Sequence, residues 1–338
     1  MRAQIIDCFS FVKNLSFKKA SNFLKVFISF SISKVLKKPI VWGLPYSVSI
    51  EPTTSCNLHC LECPSGQNQF SRKTGNISSE LYKSVIKELY PHLSYLILYF
   101  QGEPYLHPNF FDLVNYANKK NIYTASSTNG HFLSEENAKA TILSGLSRLI
   151  ISLDGTTQDT YSFYRKGGDL GKVIEGVKNI VRAKKDLKSK TPYLILQFLV
   201  VKQNQHQIEE ARILAKQLNV DKIVFKSAQI YDFQNGSELI PTINRYSRYR
   251  KIKSKYFIKN NLPNYCRRLW NSSVITWDGL IVPCCFDKDA KYILGDLQKG
   301  KFKNIWKSVK YNQFRKKVLH SRKSTDICQN CTEGLRKK

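Results

Sequence analysis

Acidic side chains are scarce in this chain, with 25 Asp and Glu against 54 Lys and Arg and a formal charge of +29. That imbalance invites nucleic acid, anionic lipid or an acidic peptide as a partner. Lys, Asn and Ile are abundant throughout, however, as AT-rich coding produces, and the motifs of nucleic-acid-binding folds are missing, so charge alone assigns no nucleic-acid partner. Long apolar runs are missing as well. Residues 5–45 are rich in Phe, Ile, Leu and Val, but lysines at 13, 18, 19, 25, 34, 37 and 38 break the stretch well short of 18 residues. This excludes a membrane span there and leaves one or two basic amphipathic helices, packed as a cap on the following domain or resting on a membrane surface. A cleavable signal peptide is lacking, which points to the reducing cytoplasm, with peripheral contact at the inner membrane face as an extension. Neither an internal repeat nor a low-complexity tract is present. With 42% hydrophobic content, the 338 residues can bury one large core and a smaller one.

From residue 46 onward, short β-rich runs alternate with helical stretches, the pattern of βα units around a parallel sheet. Six strands are predicted, at 46–51, 95–100, 122–127, 148–153, 193–201 and 222–226. Helices are predicted near 78–90, 108–119, 134–144, 171–187 and 205–218, with Ser78, Pro108 and Ser134 at or near their starts. The basic stretch 245–259 reads as a linker or a solvated helix. Residues 273–283 read as a β-hairpin turning at Asp278-Gly279, and a short helix is expected near 301–318.

The nine cysteines cannot all pair, and their clustering suggests metal thiolates rather than disulfides. Cys56, Cys60 and Cys63 follow the first strand directly, at the carboxyl edge where barrel chemistry is built. Three thiolates can wrap one face of a 4Fe-4S cluster and leave one iron open. The competing reading is a zinc site with His59 as the fourth ligand. Cys266, Cys284, Cys328 and Cys331 could close a second four-thiolate site, again with iron–sulfur or zinc chemistry. Cys284 stands beside Cys285, and Cys8 has no partner in sequence.

The Cys56-Asn-Leu-His-Cys60-Leu-Glu-Cys63 spacing resembles the three-cysteine loop of the radical S-adenosylmethionine (SAM) superfamily, except that Glu62 stands where an aromatic residue is common. Further segments resemble the family in order along the chain. Gln101-Gly102-Glu103-Pro104 is similar to the Gly-Gly-Glu-Pro segment, implying contacts from Gly102 and Glu103 to the SAM amino group. Ser127-Thr128-Asn129-Gly130 implies Thr128 and Asn129 near the ribose and carboxylate. Ser152 and Asp154 share one side of the fourth strand, facing SAM, and Arg165 is placed to pair with the SAM carboxylate. The second cysteine set, with Trp277-Asp278-Gly279, Gly295-Asp296-Leu297 and Ile305-Trp306, resembles the auxiliary-cluster modules called SPASM and twitch domains. The choice of Cys284 over Cys285 rests on this resemblance, whose pattern its 17-residue spacing from Cys266 and its preceding proline suit.

The resemblance implies an α/β fold: a partial (β/α)6 TIM-like barrel with a small C-terminal α+β cysteine-rich auxiliary-cluster domain. The division expected is a basic helical extension at 1–44, a radical SAM core at 45–235, a basic linker at 236–265 and the auxiliary domain at 266–338. It further implies two 4Fe-4S clusters, SAM, and an electron donor such as flavodoxin or ferredoxin. The reaction expected is hydrogen abstraction from a peptide or small polyhydroxy substrate, with oxidation or another modification as the outcome; no catalytic base can be named. The alternatives are a non-catalytic zinc-binding protein that contacts nucleic acid, and a membrane-surface enzyme acting on a lipid or glycan precursor.

Overall fold

In the computed structural model, which describes residues 2–333, helices α1 (Arg2–Val12) and α2 (Phe17–Leu36) precede the first strand, β1 (Ser47–Ile50). The alternation continues through α3 (Ser79–Leu89), β2 (Tyr95–Ile97), α4 (Phe110–Asn118), β3 (Tyr123–Thr128), α5 (Glu135–Leu143) and β4 (Arg148–Ser152). Then come α6 (Gln158–Tyr164), α7 (Leu170–Asp186), β5 (Tyr193–Val200), α8 (Ile208–Gln217) and β6 (Lys222–Ser227). The chain ends with β7 (Tyr249–Ile252), β8 (Lys255–Ile258), α9 (Arg268–Asn271), β9 (Ser272–Ile275), β10 (Leu280–Val282) and β11 (Gly295–Asp296). After these lie α10 (Phe302–Trp306), α11 (Val309–Ser321) and α12 (Asp326–Gln329). The last five residues of the expected 266–338 domain, and Met1, lie outside the described residues.

Strands β1 to β6 lie side by side in chain order, all parallel, with β6 at one edge. Parallel strands need crossovers long enough for a helix, and each helix here buries one stripe on the sheet. On α7 that stripe is Leu170, Val173, Val177, Ile180 and Ala183, spaced three or four apart. The strands are apolar where both faces are covered: Val48, Ile50, Leu96, Leu149, Ile151, Leu194 and Leu196 are essentially inaccessible. Each such side chain contributes about 1.5–3 kcal/mol through burial. The predicted starts at Ser78 and Ser134 are N-caps whose hydroxyls accept from Leu81 N and Asn137 N.

The other edge of the barrel sheet is extended by the cysteine-rich segment. Strand β9 pairs in parallel with β1, Val48 opposite Ser273, and β10 and β11 add antiparallel strands to complete a nine-stranded sheet. The segment therefore grows out of the barrel sheet. Two indole N–H groups reinforce the join, from Trp270 to Ile40 O and from Trp306 to Gly43 O. Arg315 is fully buried beneath it, donating to Leu269 O and Trp306 O with its guanidinium over the Tyr311 and Trp306 rings.

Two local expectations change. The stretch 245–259, expected as a linker or a solvated helix, is a single 3-10 turn followed by the β7–β8 hairpin. Its exposed lysines and arginines mask the period: Tyr249 is buried and stacks on Phe233, while Lys253 turns the chain with φ +53°. The helix near 301–318 is two helices, because Ser308 starts a new one by accepting from Tyr311 N. No helix among the described residues is long and apolar enough to cross a membrane.

Candidate active site

The loop after β1 carries Cys56, Cys60 and Cys63, folded back on itself by short-range contacts. Cys63 N donates to Cys60 O, the Gln67 amide to His59 O and Cys60 O, and the Ser65 hydroxyl to Thr54 O. A Cβ on Gly66 would lie 2.7 Å from Cys60 N, so the fold-back requires glycine there. The three cysteines pack with Leu58, Tyr164, Val201 and Ile230 in one apolar cluster. Burial pushes the Cys56 thiol up to about 11, and the charges of Cys60 and Cys63 add to the rise, so the three sulfurs share one site. His59 turns Nδ1 to Gly66 O at 3.0 Å.

At the end of β2, Gly102 takes φ +72° with its N–H on Ser65 Oγ, and Glu103 N donates to Ser55 O. Glu103 is 2% exposed. Burial raises its carboxyl to about 7, against the lowering effect of hydrogen bonds from Asn129 N (2.6 Å), the Thr128 hydroxyl and Tyr105 N. A desolvated carboxylate held by backbone donors, with Arg165 acting only from a distance, is suited to receive a cationic ligand. It is close enough for its charge to raise the Cys56 thiol. Thr128 also accepts from Gly130 N, and the Asn129 amide donates to Asn57 Oδ1 within the cysteine loop at 2.7 Å.

Ser152 is buried at the end of β4, in register with Gln197 of β5. Asp154 is fully buried with both oxygens engaged: Oδ2 accepts from Arg165 Nε at 2.5 Å and Oδ1 from Leu199 N at 2.6 Å. Arg165 Nη1 lies 3.8 Å from Cys60 Sγ. The guanidinium expected for a SAM carboxylate thus has an internal carboxylate on one side and a cysteine of the first loop on the other. Glu62 accepts from Tyr231 N at 3.0 Å, so it ties the loop to the segment after β6.

The second cysteine set surrounds one cavity. Cys266, Cys284, Cys328 and Cys331 line it with Leu269, Phe286, Phe314, Val318 and Ile327, and Arg268 and Arg322 complete the wall; Cys285 does not line it. Burial drives the Cys284 and Cys328 thiols up, the latter to about 12, so these groups favour proton or metal over bare charge. Arg322 Nη2 and Glu333 N lie 3.4 and 3.3 Å from Cys331 Sγ. Four cysteines, three of them buried and Cys284 partly so, with guanidinium and N–H neighbours fit an anionic iron–sulfur cluster. Among the described residues, no three His, Cys, Asp or Glu side chains close on a point fit for a single ion. Ligands of a cubane bind separate irons and surround a volume instead.

The two sites are fastened together. Arg72 forms a bidentate pair with buried Glu51 (2.6 and 2.8 Å) and donates to Lys288 O; Glu51 also accepts from Trp277 N. Lys288, four residues after Cys284, lies near enough to Cys63 and Glu62 on the other side for their charges to act on it. A cleft of about 290 Å³ runs between them, lined by Tyr231, Asp232 and Phe233 and by Phe286 and Ile327, which also wall the auxiliary cavity. Sequence reasoning missed Lys288, Tyr231, Asn57 and Asn204, whose amide donates to Asp154 O. Asn57 lies within the cysteine motif and Asn204 ends a late strand segment, but neither carried an assigned role; no motif marked Lys288 or Tyr231, whose place depends on segments meeting across the barrel mouth.

Residues 50–212 match the radical SAM superfamily and residues 266–332 match SPASM, an iron–sulfur cluster-binding domain; together they cover about two thirds of the chain. The chain belongs to the radical SAM superfamily. It is an enzyme of that family with a SPASM domain, and its cofactors are a 4Fe-4S cluster and SAM in the core and further iron–sulfur at the C-terminal module. This overturns the non-catalytic zinc reading, and with it the zinc role for His59. The tungsten-containing aldehyde ferredoxin oxidoreductase cofactor-modifying protein of Pyrococcus furiosus is 25% identical over 79% of this chain and 82% of its own. The PqqA peptide cyclase of Rhodopseudomonas palustris is 25% identical over 81% of this chain and 77% of its own. Among solved structures, Streptococcus suis SuiB bound to precursor peptide SuiA superposes with a TM-score of 0.60 at 15% identity, over 87% of this chain and 72% of that one. At that identity the likeness shows the radical SAM fold.

Proposed function

We propose that this enzyme cleaves SAM reductively and abstracts hydrogen from a peptide bound in the cleft between its two cysteine sites, oxidising or otherwise modifying it. The observation that carries the reading is the cleft itself. It touches the wall of the auxiliary cavity at Phe286 and Ile327, and Tyr231 on its other side is tied to the first cysteine loop through Glu62. When bound, the clusters and SAM supply an electron, a 5′-deoxyadenosyl radical that takes a hydrogen atom from the substrate, and an acceptor for the electron the substrate then gives up.

The chain's own residues bind, orient and exclude water. Cys56, Cys60 and Cys63 would hold the first cluster, and Cys266, Cys284, Cys328 and Cys331 the second. Glu103, ionised on contact with an ammonium, holds the SAM amino group; Gly102 brings the backbone close, and Thr128 and Asn129 fix the carboxylate's orientation. Ser152, at the carboxyl end of β4, would face SAM. Arg165 and Asp154 place a positive group against Cys60, and Leu58, Tyr164, Val201 and Ile230 keep water from the cysteine loop. A peptide substrate is supported by the names of the PqqA cyclase and the SuiB complex. A second reading, a small polyhydroxy substrate, is favoured by the single four-cysteine auxiliary set. The BtrN complex with AdoMet and 2-DOIA supports it too, since this fold spans 96% of that chain, at 20% identity and a TM-score of 0.53. The electron comes from a small donor such as flavodoxin or ferredoxin.

Anaerobically reconstituted protein tests both readings. It is expected to hold about eight irons and to release 5′-deoxyadenosine under dithionite. Mass spectrometry of products formed from anaerobic cell extract then separates peptides from polyols among the molecules that lose hydrogen. Protein that bound no iron, or bound SAM without cleaving it, would overturn the proposal.

A further inference from the structure

The N-terminal helix pair is inverted with respect to the usual pattern. On α2 the stripe that packs inward is largely polar: Lys19, Asn22, Val26, Ser29 and Ser33 are buried. Their polar atoms are satisfied locally, the Lys19 ammonium on Asn121 O, the Asn22 amide on Leu44 O and His92 O, and the Ser33 hydroxyl on Ile40 O. The opposite stripe is apolar, and Phe17, Leu24, Ile28 and Val35 are exposed, Phe17 to 88% and Val35 to 77%. Helix α1 repeats the arrangement, turning Ile5, Phe9 and Val12 outward. Twelve of the twenty-two exposed large hydrophobic side chains among the described residues fall within residues 5–42, so the outward apolar surface is concentrated on this one element. Scattered exposed hydrophobics need no explanation, whereas a concentrated face implies an apolar partner.

Charge says which partner. From residue 8 to residue 50 the chain has no Asp or Glu. The one acid before that, Asp7, is turned inward onto Tyr123 and Arg148. Lys13, Lys18, Lys25, Lys37 and Lys38 are exposed around the apolar stripes. Apolar side chains rimmed by lysine, with no acid among them, match the boundary between acyl chains and phosphate headgroups.

We propose that α1 and α2 dock the floor of the barrel onto an anionic bilayer surface. The two helices lie under the starting ends of the strands. Phe11 packs on Tyr95 and Tyr123, the first residues of β2 and β3, and Phe30 on Trp270, just ahead of β9. The cysteine loop leaves the opposite end of β1, so a docked enzyme turns its mouth to the aqueous phase. Substrate then arrives from water, which weighs against a lipid-embedded precursor. This docking concerns a surface remote from the SAM site and holds independently of the substrate assigned above.

The test uses the anaerobically purified full chain with phosphatidylglycerol-containing vesicles and with pure phosphatidylcholine vesicles. Co-sedimentation is expected with the former at low salt, fading as salt is raised. The double variant Leu24→Gln with Ile28→Gln, and the charge reversal Lys18→Glu with Lys25→Glu, should each weaken binding by about tenfold or more. Both should retain the parent's thermal unfolding midpoint and its release of 5′-deoxyadenosine in solution. Vesicle binding that is no stronger with phosphatidylglycerol, or that survives both variants, would overturn the proposal. So would a concentration-dependent dimer that the glutamine variant dissolves, since a second copy would then be the occupant. Loss of SAM cleavage with vesicle binding intact would sink the functional reading alone.

Discussion

Arg165 donates to Asp154 at 2.5 Å while its other arm reaches to 3.8 Å from Cys60 Sγ, so one buried guanidinium serves both a buried carboxylate and a cysteine of the first loop. Asp154 is in turn held by Leu199 N and by the Asn204 amide on its backbone carbonyl. Removing one member of a buried pair leaves the other uncompensated, at about 3–5 kcal/mol. Asp154→Asn keeps an oxygen for Leu199 N but not the countercharge. The expected result is a stability loss of that order in denaturant titration, with the first cluster's electronic absorption altered and the auxiliary cluster's unchanged.

Glu103 should make stability and SAM binding move in opposite directions with pH. Its folded carboxyl sits at about 7 against 4.5 for the free side chain, so the folded state holds the proton more tightly. Stability without SAM therefore falls as pH rises from about 4.5 to 7, by roughly 3 kcal/mol, and is flat above. With Glu103 taking the SAM ammonium as proposed, only the ionised carboxylate binds it, so affinity is expected to rise across pH 7. Glu103→Gln should abolish both slopes, as read by denaturant midpoints of the apoprotein at several pH values and by equilibrium dialysis of SAM with reconstituted enzyme. A SAM affinity slope that persists in the glutamine variant would assign it to another group.

Much of the barrel can be read in the sequence because period and punctuation agree there. The strands at 95, 148 and 193 have apolar centres, at Leu96, at Leu149 to Ile151 and at Leu194 to Leu196, and Ser78 and Ser134 cap where they stand. Helix α6 is harder to read, since its seven residues include two tyrosines and a phenylalanine, side chains that favour strands. The β7–β8 hairpin hides behind its charges. The pairing of β9 with β1 joins residues more than 200 positions apart, and local pattern carries no record of it. The same holds at the site. Cysteine spacing marks the ligand candidates, but the Arg165–Asp154 pair, and Lys288 standing between the two cysteine sets, follow from tertiary closure alone.

Cys284 and Cys285 are neighbours with different surroundings, since only Cys284 lines the four-cysteine cavity. Cys284→Ala should lower the iron content by about half, leaving the spectrum of the first cluster in place. Cys285→Ala should retain the parent's iron and sulfide. Iron and acid-labile sulfide assays with electron paramagnetic resonance decide it, and the reverse pattern would make Cys285 the ligand.

Gly102 couples the cysteine loop to the turn that carries Glu103 through contacts too tight for a side chain. Its φ is +72°, and a Cβ there would lie 2.4 Å from Thr53 O and 2.9 Å from Ser55 O, the residues leading into Cys56. Its N–H meets Ser65 Oγ, which holds Thr54 O, and the next residue, Glu103, donates to Ser55 O. Alanine must therefore push the cysteine loop away from the turn that delivers Glu103. A cost of about 1–3 kcal/mol in stability is expected from the backbone conformation alone, together with weaker SAM binding, because the carboxylate proposed to take the SAM ammonium would be displaced relative to the cysteine loop. Gly300→Ala is the control, since a Cβ there meets nothing within 4 Å. Denaturant midpoints and SAM dialysis on the two variants should separate: both fall for Gly102→Ala and neither for Gly300→Ala. A Gly102→Ala protein that kept full SAM affinity would show that the turn and the cysteine loop move independently.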